Sequence, residues 1–154
     1  MRWVEFLESW SWDWFGTFTS RDIIHPEQMN KRFRFFVYEM NCELYPHRLR
    51  IRANGRRDLR LKRDEGVYWC RAMEWQRRGV IHYHALLGGV GNLRRLSYMD
   101  RWKELAGFAK IQPPHGDEAV RRYVAKYVTK GSGLGEIDLG GALARYKPFA
   151  GFPS

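Results

Sequence analysis

Apolar residues alternate with polar ones along several stretches of the chain and recur at helical spacing along others. Residues 12–19, Trp-Asp-Trp-Phe-Gly-Thr-Phe-Thr, are rich in β-formers and predict a strand. Pro26 suits the first turn of a helix, and 26–45 place Phe33, Phe36, Val37, Met40 and Leu44 on one helical face. In 48–63, Arg48, Arg50 and Arg52 alternate with Leu49 and Ile51, and Arg60 and Lys62 alternate with Leu59 and Leu61. Asn54-Gly55 between the two runs predicts a basic β-hairpin. Residues 67–75 predict the best strand of the chain, followed by a turn at 76–79 and a second strand at 80–88. A short helix is expected at 98–106 around Trp102 and Leu105, then a strand at 107–112 ended by Pro113-Pro114. A helix over 117–130 opens on Asp117 and Glu118 and stops at Lys130-Gly131, which suits the helix dipole and the usual C-terminal glycine. The glycine-rich stretch 131–154 has too little pattern to predict an element.

No internal repeat appears, and the length predicts one domain over 1–154, with 48–63 as a basic hairpin insertion. The order β-α-(hairpin)-β-β-α-β-α describes an α+β fold: a ferredoxin-like, RRM-like split βαβ antiparallel sheet with helices on one face. The other face of such a sheet can stay open for a ligand.

Composition narrows the function. Of 154 residues 44% are hydrophobic and 16% aromatic, enough for a real core, so a largely disordered chain is excluded. The longest apolar run is far below the ~18 residues that cross a bilayer. The first residues lack an apolar signal segment, and Cys42 and Cys70 form no Cys-x-x-Cys, so a reducing cytoplasm is expected, without a disulfide scaffold or a Cys-based zinc site. Lys and Arg number 27 against 17 Asp and Glu, a net charge of +10, which favours a polyanionic partner, nucleic acid above all. Basic grooves studded with aromatics suit single strands, whose bases can stack. Arg48, Arg50, Arg52, Arg57 and Arg60 are the candidate DNA contacts, set against the plainer reading of a charged edge that resists aggregation.

The candidate chemistry lies in the central hairpin. His82-Tyr83-His84 sits on a strand, so both imidazoles point to the same face. If the turn is centred near Arg78, Glu74 lies directly opposite His82, with Cβ atoms about 4.5–5.5 Å apart. The reverse face carries Val67, Trp69, Met73, Trp75, Ile81, Tyr83, Ala85 and Leu87, a core pattern that forces Glu74, His82 and His84 together on the other side. Two imidazoles and a carboxylate with open positions make a divalent metal site of catalytic type; the same set can hold iron for oxygen chemistry.

In the helix at 117–130, Tyr123 and Tyr127 are four apart and share a face. Lys126 and Lys130 each follow a tyrosine by three residues, and Val120, Val124 and Val128 form the neighbouring stripe expected to pack on the sheet. A phenol ordinarily titrates near about 10, and a nearby ammonium stabilises the phenolate.

Glu74-Trp-Gln-Arg-Arg-Gly-Val-Ile-His82-Tyr-His84 resembles the metal-binding motif of HUH endonucleases, in which His-hydrophobe-His follows an upstream acid. Tyr123-Val-Ala-Lys-Tyr127-Val-Thr-Lys130 resembles the two-tyrosine motif of rolling-circle initiators, the Rep proteins, and Phe15-Gly-Thr-Phe-Thr19 looks like the first motif of the same family. The nearest likeness is to gene-A-type proteins of small single-stranded DNA phages, with plasmid Rep proteins and two-tyrosine transposases next. The His motif precedes the tyrosine motif, which is the initiator order.

The resemblance implies a metal-dependent, site-specific endonuclease and strand transferase on single-stranded DNA, in a plasmid- or phage-related setting in a prokaryotic cytoplasm. It implies Mg²⁺ or Mn²⁺ on Glu74, His82 and His84, and attack by Tyr127 alternating with Tyr123 to give a 5′-phosphotyrosine and a free 3′-OH. Lys126 and Lys130 would steady the charge, and a host helicase would be a further partner. No membrane partner and no small-molecule cofactor is expected. An HUH-type transposase domain and a non-catalytic single-strand-binding module of RRM-like topology are the alternatives.

Overall fold

The computed structural model describes residues 3–76, 79–114, 116, 118–128 and 134–149. A short helix α1 (Trp3–Glu8) leads into strand β1 (Trp14–Ser20) and the long helix α2 (Pro26–Leu44). Pro26 takes the first position of α2, and the His25 imidazole caps it by accepting the Glu27 amide at 3.2 Å. Met29, Phe33, Phe36, Val37 and Met40 are its buried stripe, and it ends at Tyr45, just before Pro46.

The basic hairpin follows as β2 (Leu49–Ile51) and β3 (Arg57–Leu59), shorter than the 48–63 span of its pattern. Its turn needs a glycine, because Gly55 has φ +81°. Then come β4 (Tyr68–Trp75), β5 (Ile81–Gly88), α3 (Arg95–Leu105), β6 (Gly107–Gln112), and a short helix α4 (Ala119–Tyr123) that widens into a π turn over Val124–Val128. The stretch too weakly patterned to read forms β7 (Leu134–Gly140) and a 3₁₀ segment, Gly141–Phe149.

The main sheet has the order β6-β1-β5-β4-β7, and each recorded pairing is antiparallel. Since β5 is antiparallel to both β1 and β4, those two run the same way with β5 between them, joined by the α2 crossover. This is the split βαβ arrangement expected, with β7 added at the β4 edge. Gly107 must open β6: a Cβ there would lie 2.1 Å from the Thr19 carbonyl oxygen across the ladder.

One face of the sheet carries α2 and α3. Phe33 of α2 is fully buried and meets Phe18, Trp69 and Tyr83 edge-on, with ring centroids 5.4–5.5 Å apart. Trp102 of α3 packs on Phe18 and Phe36 and donates its indole N–H to the Thr19 carbonyl at 3.2 Å. Val67, Trp69, Ile81, Tyr83, Ala85 and Leu87 belong to this core as their alternation requires. Trp75, expected with them, is the last residue of β4 and is 47% exposed.

The opposite face carries a second core. Cys70, Ala72, Leu86 and Leu139 of the sheet meet Trp3, Phe6 and Leu7 of α1 and Tyr123, Val124 and Tyr127 of the tyrosine helix. This face is therefore only partly open. Among the described residues, no helix is long and apolar enough to cross a membrane.

Truncating Phe33 to Ala removes the ring on which three neighbours converge. A loss of about 3–5 kcal/mol is expected. Urea unfolding of Phe33→Ala should show that decrease, with a melting temperature lower by roughly 2–4 °C per kcal/mol lost.

Candidate active site

Antiparallel pairing aligns residues in rows across the sheet. On the face away from α2 and α3, one row runs Phe108, Thr19, His82, Glu74 and the next Lys110, Thr17, His84, Ala72. A third runs Gln112, Phe15, Leu86, Cys70. Glu74 is the direct partner of His82, as the hairpin pattern requires. Glu74, His82 and His84 each offer one ligand atom within 4.8 Å of the others, so the group can hold a metal ion.

Neighbours orient these ligands. His84 Nε2 lies 3.3 Å from a Glu74 carboxylate oxygen, and Thr17 Oγ1 lies 3.4 Å from His84 Nδ1. A hydroxyl both donates and accepts, so Thr17 supports either ring tautomer, including the one that frees Nε2 for a cation. The Gln76 carboxamide stands 3.4 Å from His82 Nδ1. Burial pulls both imidazoles below their ordinary pKa of 6.5, with the Glu74 charge pulling the other way. Both rings are thus neutral at neutral pH, with lone pairs available to a metal.

The tyrosine helix lies over this group. The Tyr127 ring stacks on the His84 ring at 4.1 Å and 14°, and beside Phe15 at 6.1 Å and 25°. Lys126 Nζ is 5.2 Å from the centre of the Tyr127 ring. Tyr123 is placed differently: it is 2% exposed, and its hydroxyl donates to the carbonyls of His84 at 2.7 Å and Cys70 at 3.1 Å. Burial drives its phenol well above the usual 10. The tyrosines, and not a valine stripe alone, face the sheet; Val124 is buried with them, while Val120 and Val128 pack at the margin. The π turn contributes to this, because its wider i→i+5 geometry rotates the residues after Tyr123 relative to a regular helix. Lys130 lies outside the described residues.

The structure does not bring the hairpin arginines to this group. β2 and β3 form a separate two-stranded sheet. Arg48 pairs with Glu65 at 3.0 Å, Arg52 and Arg60 with Asp58 at 3.2 and 3.1 Å, and the Arg57 guanidinium lies 5.2 Å from the Tyr38 ring of α2. Arg50 is exposed. The hairpin precedes the Tyr68 end of β4, whereas Glu74 is near the other end, about 20 Å along the strand at ~3.3 Å per residue.

Two supporting residues were not visible as such in the sequence. Thr17 falls within the Phe15–Thr19 motif, but its place beside His84 depends on the β1–β5 register. Gln76 lies in the hairpin turn, where its reach to His82 has no local signature.

Residues 13–132 match the model of the replication-associated protein ORF2 family. The chain belongs to this family. The matched span runs from the start of β1 past the tyrosine helix, and so includes all three motif blocks. The family is one of rolling-circle replication initiators. Among curated proteins and among solved structures, nothing matches this replication-associated chain.

The neutral histidines lead to an expected titration. Protons and metal compete for the same imidazole lone pairs, so affinity falls as pH drops through the histidine pKa values. Those values lie below 6.5. Calorimetric titration with Mn²⁺ should therefore give level affinity from pH 8 down to about 6.5 and a steep loss at lower pH. His84→Ala should abolish binding at every pH.

Proposed function

We propose that this protein nicks single-stranded DNA at a specific site and transfers the strand through a tyrosine, so starting rolling-circle replication. The observation that carries the reading is the stack of Tyr127 on His84, which sets a phenol against a group able to hold a metal, in a chain of the replication-associated family.

The donor set mixes one oxygen with two nitrogens and fits a borderline divalent cation. One carboxylate and two neutral imidazoles, open on the Glu74 side where that side chain is 38% exposed, suit Mn²⁺, with Mg²⁺ the harder alternative that the motif resemblance implies. Such a cation, when bound, acts as a Lewis acid on a phosphate oxygen. Glu74, His82 and His84 would hold it, Thr17 and Gln76 orienting the rings.

The covalent chemistry belongs to Tyr127. Its phenol gives up a proton, Oη bonds to phosphorus, and the P–O3′ bond breaks. The departing oxygen takes up one proton as a 3′-hydroxyl that can prime synthesis, so no proton is consumed overall. The 5′-phosphate stays on Tyr127 as a phosphodiester, whose energy allows a later 3′-hydroxyl to rejoin the strand by the reverse steps. The ammonium of Lys126 supplies positive charge beside the ring as negative charge develops, and Lys130 is assigned the same task.

Tyr123 is the residue assigned to the second transfer. To attack, its hydroxyl has to leave two buried carbonyls, so the tyrosine helix has to lift from β5 before a second nucleophile is available. The hairpin arginines would add phosphate contacts that fix no sequence.

Incubation with 3′-end-labelled single-stranded oligonucleotides and Mn²⁺, resolved on a denaturing gel, tests the reading. Label should travel with the protein and map by peptide mass to Tyr127. Tyr127→Phe, which keeps the ring stack, should lower the first cleavage by roughly 10³-fold or more, as loss of a nucleophile does. Tyr123→Phe should leave the first cut within about tenfold of wild type, since it loses one buried hydroxyl worth about 1 kcal/mol. Absence of protein-bound label with any oligonucleotide, at a metal site shown to be filled, would end the proposal.

A further inference from the structure

Beside the tyrosine helix lies a pocket of about 170 Å³ whose walls include Phe15, Gln112, Pro113, Pro114, Lys126 and Tyr127. The metal group takes no part in it, and no motif of the sequence announced it. Its volume far exceeds the roughly 10–15 Å³ that admits one water. It is smaller than the roughly 300–1,000 Å³ of pockets that enclose a whole drug-sized ligand. One planar ring system is the scale that suits it.

The walls have a definite chemistry. Phe15 and Pro114 are half-buried and so leave flat apolar surface toward the opening. Gln112 is the last residue of β6 and pairs across the ladder with Phe15. Its carboxamide brings a donor and an acceptor to that apolar wall. Lys126 is exposed and adds a cation. Tyr127 is shared between the pocket and the stack on His84, so a ring held here lies next to the candidate nucleophile.

The geometry points to a subsite for one nucleobase of single-stranded DNA, next to the scissile phosphate, with Gln112 reading the edge of the base. This rests on the nicking reading and adds to it where sequence choice is made. Flat apolar surface favours stacking of any base, and is tolerant of sequence. A carboxamide that donates and accepts can tell base edges apart, with adenine the best two-point partner for it. The Lys126 ammonium meets the flanking phosphate and carries no base preference.

Binding selection tests this apart from catalysis. Wild type and variants are incubated in EDTA with a pool of short, fully randomised single-stranded DNA, and the bound fraction is sequenced. Wild type should show one column of base preference, of about tenfold strength, that Gln112→Ala levels while other columns persist. Gln112→Glu keeps the shape but loses the amide donor, and should change the favoured base in that column. Lys126→Ala should weaken all sequences alike and reduce the log–log salt slope by roughly 0.7. Unchanged preferences in both Gln112 variants, or a uniform loss across every column, would overturn the base subsite. Protein-bound label in the nicking assay reports separately, so either idea can fail while the other is judged.

Discussion

The register of the β4–β5 hairpin is the constraint on which the site depends. Side chains on a strand alternate with a period of two, so a slip of one residue turns every side chain to the other face. Here Ile81, Tyr83, Ala85 and Leu87 are drawn under α2 and α3. The hydrophobic free energy of those four side chains, each worth up to about 1.5–3 kcal/mol for the larger ones, fixes the register. His82 and His84 are then held on the opposite face, and Glu74 meets His82 across the ladder. Packing on one side of the sheet thereby sets the geometry of Glu74, His82 and His84 on the other.

The second core, built on that opposite face, adds a different control. Tyr123 ties the tyrosine helix to β5 through the His84 carbonyl, and the widened turn that follows sets Tyr127 against the His84 ring. One residue, His84, is thus touched by Thr17 of β1, Glu74 of β4 and both tyrosines of the helix. Its burial keeps it neutral and ready to ligate. Burial on the same face makes Tyr123 a poor acid, its hydroxyl held by the His84 and Cys70 carbonyls.

Charge is distributed by the same logic. A net charge of +10 draws polyanions from a distance. Three hairpin cations, however, face carboxylates of their own chain: Arg48 meets Glu65, and Arg52 and Arg60 share Asp58. On the core face, the buried Arg71 is sandwiched near Tyr83 and Phe33 and paired with Asp138 of β7 at 3.5 Å. That contact joins the edge strand to the core. Net charge therefore acts at long range, while these three hairpin arginines are already engaged within the chain.

Much of the fold is legible in the chain because its signals are local. Alternation in 67–75 and 80–88 with a short turn between them sufficed to pair Glu74 with His82, and Pro26 with its apolar stripe sufficed for α2. Asn54-Gly55 marked the hairpin turn. Other features rest on partners far apart in sequence. β7 has two glycines and little alternation, and becomes a strand because the edge of β4 offers it hydrogen-bonding groups. Trp75 follows the core alternation yet is exposed at the end of its strand. Thr17 and Gln112 gain their places beside His84 and Phe15 through the β1–β5 and β1–β6 ladders. Which tyrosine is sealed and which stacks on the histidine was decided by the sheet beneath them and by the π turn. Periodicity encodes which way a residue faces on its own element; only the assembled sheet decides which distant residue it meets there.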